Sequence, residues 1–191
     1  MEQLSKNVKA YFTYLEKHKH KWHENLEKAA VPLKVINNHA DQLRTVRLVG
    51  KNEIDIKLPD VKSKLTSKIK SSLEAEMGLL YDILKELDAS NKELKNRLVS
   101  VEQSFEMVDY DDLLQSDNQP SNMGEWAFDA WSLYHAFYIQ IYGAMKCLQY
   151  EDENSVSNLL KAFHEDPDMK NQIQYILAYT KILIEDTSHT S

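Results

Sequence analysis

The sequence predicts an all-α protein: a long antiparallel helical hairpin, coiled-coil-like, followed by a small C-terminal helical bundle. Three observations carry that expectation. Two tracks of apolar residues recur at steps of three or four as far as Val108, the period of a helix face. Only four glycines and four prolines occur among 191 residues, which points to long helices and few turns. No segment approaches 18 consecutive apolar residues, so the tracks read as amphipathic and a membrane span is not expected.

The first track runs Leu4, Val8, Tyr11, Leu15, His18, Trp22, Leu26, Ala29, Leu33, Ile36, Ala40 and Leu43, so Glu2 to about Arg47 reads as helix. Pro32 interrupts it. A helix-interior proline removes a hydrogen bond and clashes with the preceding turn, so the expectation is a kink near Ala29 to Pro32 or two consecutive helices. Leu48 to Lys57 is a connector, with Gly50 and an Ile54/Ile56 alternation too brief for a sheet. Leu58-Pro59-Asp60 opens the second helix, with Pro59 near its first turn and Asp60 suited to the positive helix end. Its track is Leu58, Val61, Leu65, Ile69, Leu73, Met77, Leu80, Leu84, Leu87, Asn91, Leu94, Leu98, Val101, Phe105 and Val108. That stripe spans about 50 residues, or roughly 75 Å, and such a rod exists to lie against another helix. Two tracks of similar length make an antiparallel hairpin over residues 1–110 the cheapest pairing, with parallel self-association of two chains as the competitor.

Residues 111–122 read as an acidic loop, the stretch Asp109 to Gln119 breaking the periodicity with acids and turn formers. Leu113 and Leu114 stand out inside it, able to tuck back onto the hairpin or to dock a partner. The segment 123–191 is helical and packs on the hairpin or on a partner. Pro120-Ser121 starts a third helix reaching about Gln149, with Ser121 a candidate N-cap. Glu151 to Asn154 reads as a turn, Ser155 to Phe163 as a short helix, and Asp166-Pro167 as the start of a last one ending near Glu185. The last stripe is Ile173, Ile176, Leu177, Thr180, Leu183 and Ile184.

The third helix carries two apolar seams. One reads Trp126, Ala130, Leu133, Phe137, Ile141, Ala144 and Leu148; the other reads Phe128, Trp131, His135, Tyr138, Tyr142 and Met145. A helix apolar on two seams must be covered on two sides. It is either the central helix of its own bundle or a helix whose Trp/Tyr seam docks another chain. Aromatics with a polar tip are enriched among interface anchors. The candidate partner-binding residues are therefore Trp126, Phe128, Trp131, Tyr134, Tyr138 and Tyr142, with Leu113 and Leu114.

Charge is unevenly divided. The chain totals −7, yet residues 1–70 hold 15 Lys/Arg against 8 Asp/Glu, while the remainder holds 8 against 22. Such polarity suits two different partners, or attraction between the halves. The basic half could touch RNA or an acidic protein, but its lysines are spread around helices and direct nucleic-acid binding is not expected. Cys147, the single cysteine, sits among apolar residues and reads as a buried structural thiol in a reducing compartment. His20, His23 and Glu24 could approach one ion but lack a fourth ligand, and no metal or other cofactor is expected. No phosphate-binding glycine loop, nucleophile elbow or Cys/His pairing is present, so no catalytic constellation emerges.

The order of landmarks resembles the AIRIM family of AAA+ ATPase-interacting ribosome maturation factors. The carriers are Trp22 with Pro32-Leu33 downstream, the Leu58-Pro59-Asp60-Val61-Lys62 helix opening, and a Ser/Pro-bearing loop. Glu125-Trp126 with Tyr134 and a final Ile/Leu helix complete the likeness over roughly residues 5–185. The resemblance implies a non-enzymatic adaptor that pairs with the small helical protein CINP and sits on spermatogenesis-associated AAA+ ATPases. It implies action on late pre-60S particles, with release of a placeholder factor, a link to replication-associated proteostasis, and a place in cytoplasm and nucleus. This chain departs from the family's basic third helix: Lys146 is the only Lys or Arg between Glu125-Trp126 and Gln149.

Overall fold

A computed structural model describes residues 2–49, 59–108 and 120–189, and every described element is helical. The helices are α1 (Glu2–Val49), α2 (Pro59–Glu106), α3 (Pro120–Lys146), α4 (Glu153–Ala162) and α5 (Pro167–His189). The all-α class and the antiparallel hairpin are as the two tracks predict. Helix α1 is one continuous element with Pro32 inside it, so the two-helix alternative falls away. Its flanking turns bury Ala29, Leu33 and Ile36, and that packing outweighs the loss of one backbone hydrogen bond. The connector residues 50–58, Leu113, Leu114 and the rest of the acidic segment 109–119 lie outside the described residues, as do the side chains of Leu183 and Ile184.

Several boundaries differ from the sequence expectation. Helix α3 begins at Pro120, which places Ser121 inside the helix instead of at its cap. Helix α4 begins two residues early because Asp152, in extended backbone, caps it. Its carboxylate accepts the Asn154 and Ser155 amide N–H groups at 3.1 and 3.2 Å. Asp166 accepts the Asp168 N–H at 3.0 Å ahead of α5 in the same way.

Contacts divide the chain into two units, each drawn from several stretches of sequence. The first comprises residues 1–23, 87–138 and 165–191. Its interior takes Leu4, Val8, Tyr11, Leu15, His18 and Trp22 from α1 and Leu87, Leu94, Leu98 and Val101 from α2. Met123, Ala127, Ala130, Tyr134 and Phe137 from α3 and Met169, Ile173, Ile176 and Thr180 from α5 complete it. The α1–α2 pairing is antiparallel here: Asn7 Nδ2 donates to the Ser100 carbonyl at 3.0 Å, while His18, further along α1, meets Ser90, earlier on α2. Helix α3 approaches α2 closely at Gly124, where an added methyl would stand 2.9 Å from the Phe105 ring.

The second unit comprises residues 24–86 and 139–164. Ala29, Leu33, Ile36, Ala40 and Leu43 of α1 meet Ile69, Leu73, Met77, Leu80 and Leu84 of α2 in its core. Ile141 and Met145 of α3 and Val156, Leu159 and Phe163 at α4 close it. The first track shifts by one residue here: Asn25 is fully buried and Leu26 only half-buried. Arg44 donates to the Tyr150 carbonyl at 3.1 Å and Arg47 pairs with Glu151, tying the end of α1 to the α3–α4 turn. Cys147 corrects the sequence reading, because it is exposed. The core seam of α3 ends at Met145 and the helix itself at Lys146, so Cys147 has already left the covered face.

Leu94, fully buried in the first unit, should reveal the energetic weight of the seam. Leu94→Ala is expected to cost about 2–5 kcal/mol, read as a lower urea midpoint at unchanged slope. Leu79→Ala, at a position 53% exposed, should cost about 0.5 kcal/mol or less.

Candidate protein-interaction surface

The buried face of α3 is a single seam, not two. Met123, Ala127, Ala130, Tyr134 and Phe137 follow steps of four and three within the first unit, sharing Ala130 and Phe137 with the first expected seam and otherwise lying between the two. The buried seam leaves one aromatic flank on either side. The partner-binding candidates sort accordingly. Tyr134 is 1% exposed and belongs to the interior. Trp126, half-buried, sets its ring 5.8 Å from that of Tyr179 on α5. Phe128, Trp131 and Tyr138 occupy the other flank, and Tyr142 lies in the second unit, 40% exposed, with the Lys146 ammonium 5.6 Å from its ring centre.

Tyr134 anchors an aromatic cluster. Its ring lies 4.4 Å from His18 in an edge-on arrangement and 5.0 Å from Trp22, and Trp22 in turn lies 5.8 Å from Phe137. Edge-to-face geometry adds about 0.5–1.5 kcal/mol per pair beyond the area buried. Tyr11 completes the interior polar pattern by donating its hydroxyl to the Ala127 carbonyl at 2.6 Å. Burial holds the Tyr11 and Tyr134 phenols above their ordinary pKa, so both stay protonated donors.

His18 is the one buried imidazole in this cluster. Its Nδ1 shares a hydrogen bond of 2.8 Å with the Ser90 hydroxyl, while Nε2 has no hydrogen-bond partner in the protein. Burial pushes its pKa down to about 3, against the smaller opposing influence of Ser90. A neutral ring packed against Trp22 and Tyr134 is what the interior accepts; an imidazolium there would be a desolvated charge.

The exposed flank has a different character. Phe128 is 49% exposed, its ring 6.0 Å from Trp131. Trp131 stacks on His135 at 5.0 Å with planes 15° apart, and Lys95 of α2 sets its ammonium 4.0 Å from the Trp131 ring centre. His135 Nδ1 reaches the Asn91 side-chain amide at 3.3 Å. Trp131 is thus held between a cation and a second ring, leaving Phe128 to project. These contacts fix the orientation of the indole.

A third group of rings was not anticipated. On α5, Tyr175, Tyr179 and Ile182 are 54%, 46% and 59% exposed, and the two tyrosine rings lie 4.6 Å apart. Their spacing of four and three is itself a helical stripe, legible in principle, but the stronger run Ile173, Ile176 and Thr180 masks it. Among the described residues no three His, Cys, Asp or Glu side chains come together as a metal site, and no helix is long and apolar enough to cross a membrane.

The His18 pocket generates a pH dependence. The unfolded chain takes up the imidazole proton near pH 6.5 and the folded chain only near 3, so stability is complete above pH 6.5 and is lost as the pH falls toward 3. The slope from this one proton is at most about 1.4 kcal/mol per pH unit. His18→Phe should lower stability at pH 7.5, by stranding Ser90, yet flatten the decline between pH 6.5 and 5. Denaturant titrations followed by circular dichroism at several pH values measure both effects.

No curated protein matches the chain. Among protein families, residues 2–182 match CA109-like, described as ribosome biogenesis protein C1orf109-like. That match spans nearly all of the two helical units and includes the Trp22, Tyr134 and Trp131 positions just described. The chain therefore belongs to the C1orf109-like family of ribosome biogenesis proteins, the AIRIM family.

Proposed function

We propose that this chain is a non-enzymatic adaptor subunit of an AAA+ ATPase complex that matures the large ribosomal subunit. In this reading it pairs with CINP, sits on spermatogenesis-associated AAA+ ATPases and helps release a placeholder factor from late pre-60S particles. It acts in cytoplasm and nucleus and also serves replication-associated proteostasis. Family membership supports the ribosome-maturation half of the reading. The adaptor half rests on the Phe128–Trp131–His135 ridge, in which an exposed Phe128 stands beside a half-buried Trp131 braced from both sides, on a helix whose other face is core. Rigid aromatic rings beside a cation are the residues that carry most energy in protein interfaces.

The competing reading is a self-associating coiled-coil tether. It needs an apolar seam to spare along α1 and α2. In each unit the shared seam of those two helices is already buried within one chain, which removes most of the drive for a parallel homodimer.

Affinity purification of the tagged full chain, with identification of the co-eluting proteins, tests the adaptor reading. An AAA+ ATPase and a second small helical protein are expected. Phe128→Ser combined with Trp131→Ala should reduce their capture by about tenfold or more while leaving helicity close to that of the parent. Capture of no AAA+ ATPase by the unaltered chain would end the proposal. A variant that unfolds would place these rings in the core and not on a docking edge.

A further inference from the structure

The second unit leaves one stretch of its apolar track uncovered. Along α2 the row Val61, Leu65, Ile69 and Leu73 advances in steps of four, yet only its latter half is buried. Val61 is 55% and Leu65 44% exposed, against 3% for Ile69 and none for Leu73. On α1, Leu48 is 78% exposed. The ion pair between Lys28 and Glu86 sets the register of the two helices in this unit. Leu48 and Leu65 each lie about 20 residues, or roughly 30 Å, beyond that pair, so antiparallel pairing brings them to the same end of the unit.

Charge at this end is concentrated. Residues 61–70 hold four lysines and no Asp or Glu, in a chain whose net charge is −7. Lys62, Thr66 and Lys70 form one row, Ser63, Ser67 and Ser71 the next, and together they line a groove of about 630 Å³ that Glu74 closes. On α2 the exposed Val61 and Leu65 are flanked about 60° away around the helix by Lys64 and Lys68, whereas the trough of ammonium and hydroxyl donors lies across the helix, beyond the buried Ile69–Leu73 seam. An isolated Leu on a surface needs no explanation, but an apolar row that continues a buried seam and is bordered by like charges does.

We propose that this end of the second unit, carried by Leu48, Val61 and Leu65 and bordered by Lys64 and Lys68, docks an acidic amphipathic helix of a partner protein. The partner's apolar stripe extends the seam that α1 and α2 share, and its Asp and Glu side chains meet Lys64 and Lys68. A helix fits because successive positions on the Val61–Leu65 row stand about 6 Å apart, the spacing of side chains one turn apart on a facing helix. RNA fits less well. Residues 43–49 and 59–74 contain no aromatic side chain, whereas grooves for single strands stack bases on rings, and Leu48, Val61 and Leu65 have nothing to offer a phosphate. The proposal rests on the adaptor reading and names a second docking chemistry for it, on a different unit from Phe128 and Trp131.

Fluorescence anisotropy with the full chain tests it. The probe is a labelled 18-residue peptide with Leu at alternating steps of three and four and Glu and Ala elsewhere; a matched peptide carries Lys in place of Glu. The Glu peptide should bind and the Lys peptide bind at least about tenfold more weakly. Val61→Ser with Leu65→Ser should weaken the Glu peptide about tenfold or more, with an unchanged circular dichroism spectrum because neither side chain is core. Lys64→Glu with Lys68→Glu should weaken it as well, and added salt should do the same. Equal binding of the two peptides, or unchanged binding by the Val61/Leu65 variant, overturns the proposal. So does displacement of the Glu peptide by a single-stranded RNA oligonucleotide of the same length. A concentration-dependent dimer abolished by the Val61/Leu65 variant would give this end to a second copy of the chain and overturn it equally. None of these outcomes touches ATPase capture through Phe128 and Trp131, so the two proposals fail separately.

Discussion

Each unit depends on covering a long apolar stripe that one helix cannot hide from water. The α2 track is nearly continuous from Ile69 to Val101, and α1 supplies a matching one, so the two helices bury each other along one side. A two-helix contact leaves the flanks of both stripes wet, and α3 resolves this by laying a third seam against them in each unit. The remaining side is closed by α5 in the first unit and by α4 in the second. At about 25 cal/mol per Å² of apolar surface, the large side chains of this seam dominate the folding balance. Polar pairs across the seam, buried His18 with Ser90 and part-buried Asn91 with His135, act on specificity of register more than on bulk stability.

The same constraint explains where the surface chemistry lies. A helix such as α3, apolar over more than half its circumference, offers its central seam to the core and retains a flank on either side. One flank is used against Tyr179; the other presents Phe128 and the braced Trp131. The exposed rings are thus a geometric consequence of a seam wider than its cover. The hairpin end of the second unit repeats the theme with aliphatic side chains, where the track on α2 continues to Val61 past the last buried residue, Ile69.

Function enters through membership of a ribosome biogenesis family, and the proposed docking edges build on it. The perturbed groups fit that picture. His18, Tyr11 and Tyr134 are shifted chiefly by burial inside the aromatic cluster, the ordinary cost of placing polar atoms in a core. Perturbed groups mark active sites when a cleft brings substrate to them. These three are buried in the interior of the first unit, so they report on stability instead.

Helix class, the hairpin and most buried residues of α1 and α2 were legible in the sequence, because spacing of three and four over a dozen turns describes one helix face. Phe12, Ile83, Ser90 and Ser104 were missed, and Val61 and Leu65 stay exposed. The buried seam of α3 was not. Trp126, Phe128, Trp131 and Tyr134 are equally apolar by residue type, and a helix with two candidate seams does not say which one its neighbours take. Asn25 displaced Leu26 from the interior, Cys147 came out into solvent just past the end of α3, and Tyr134 went in among His18 and Trp22. Each of these was settled by the direction of a side chain relative to helices far away in the chain. The sequence by itself determined periodicity, charge distribution and hence the need for burial. Only the tertiary structure decided which flank of each helix stayed wet, because that depends on how many neighbours fit around a cylinder and not on the cylinder's own residues.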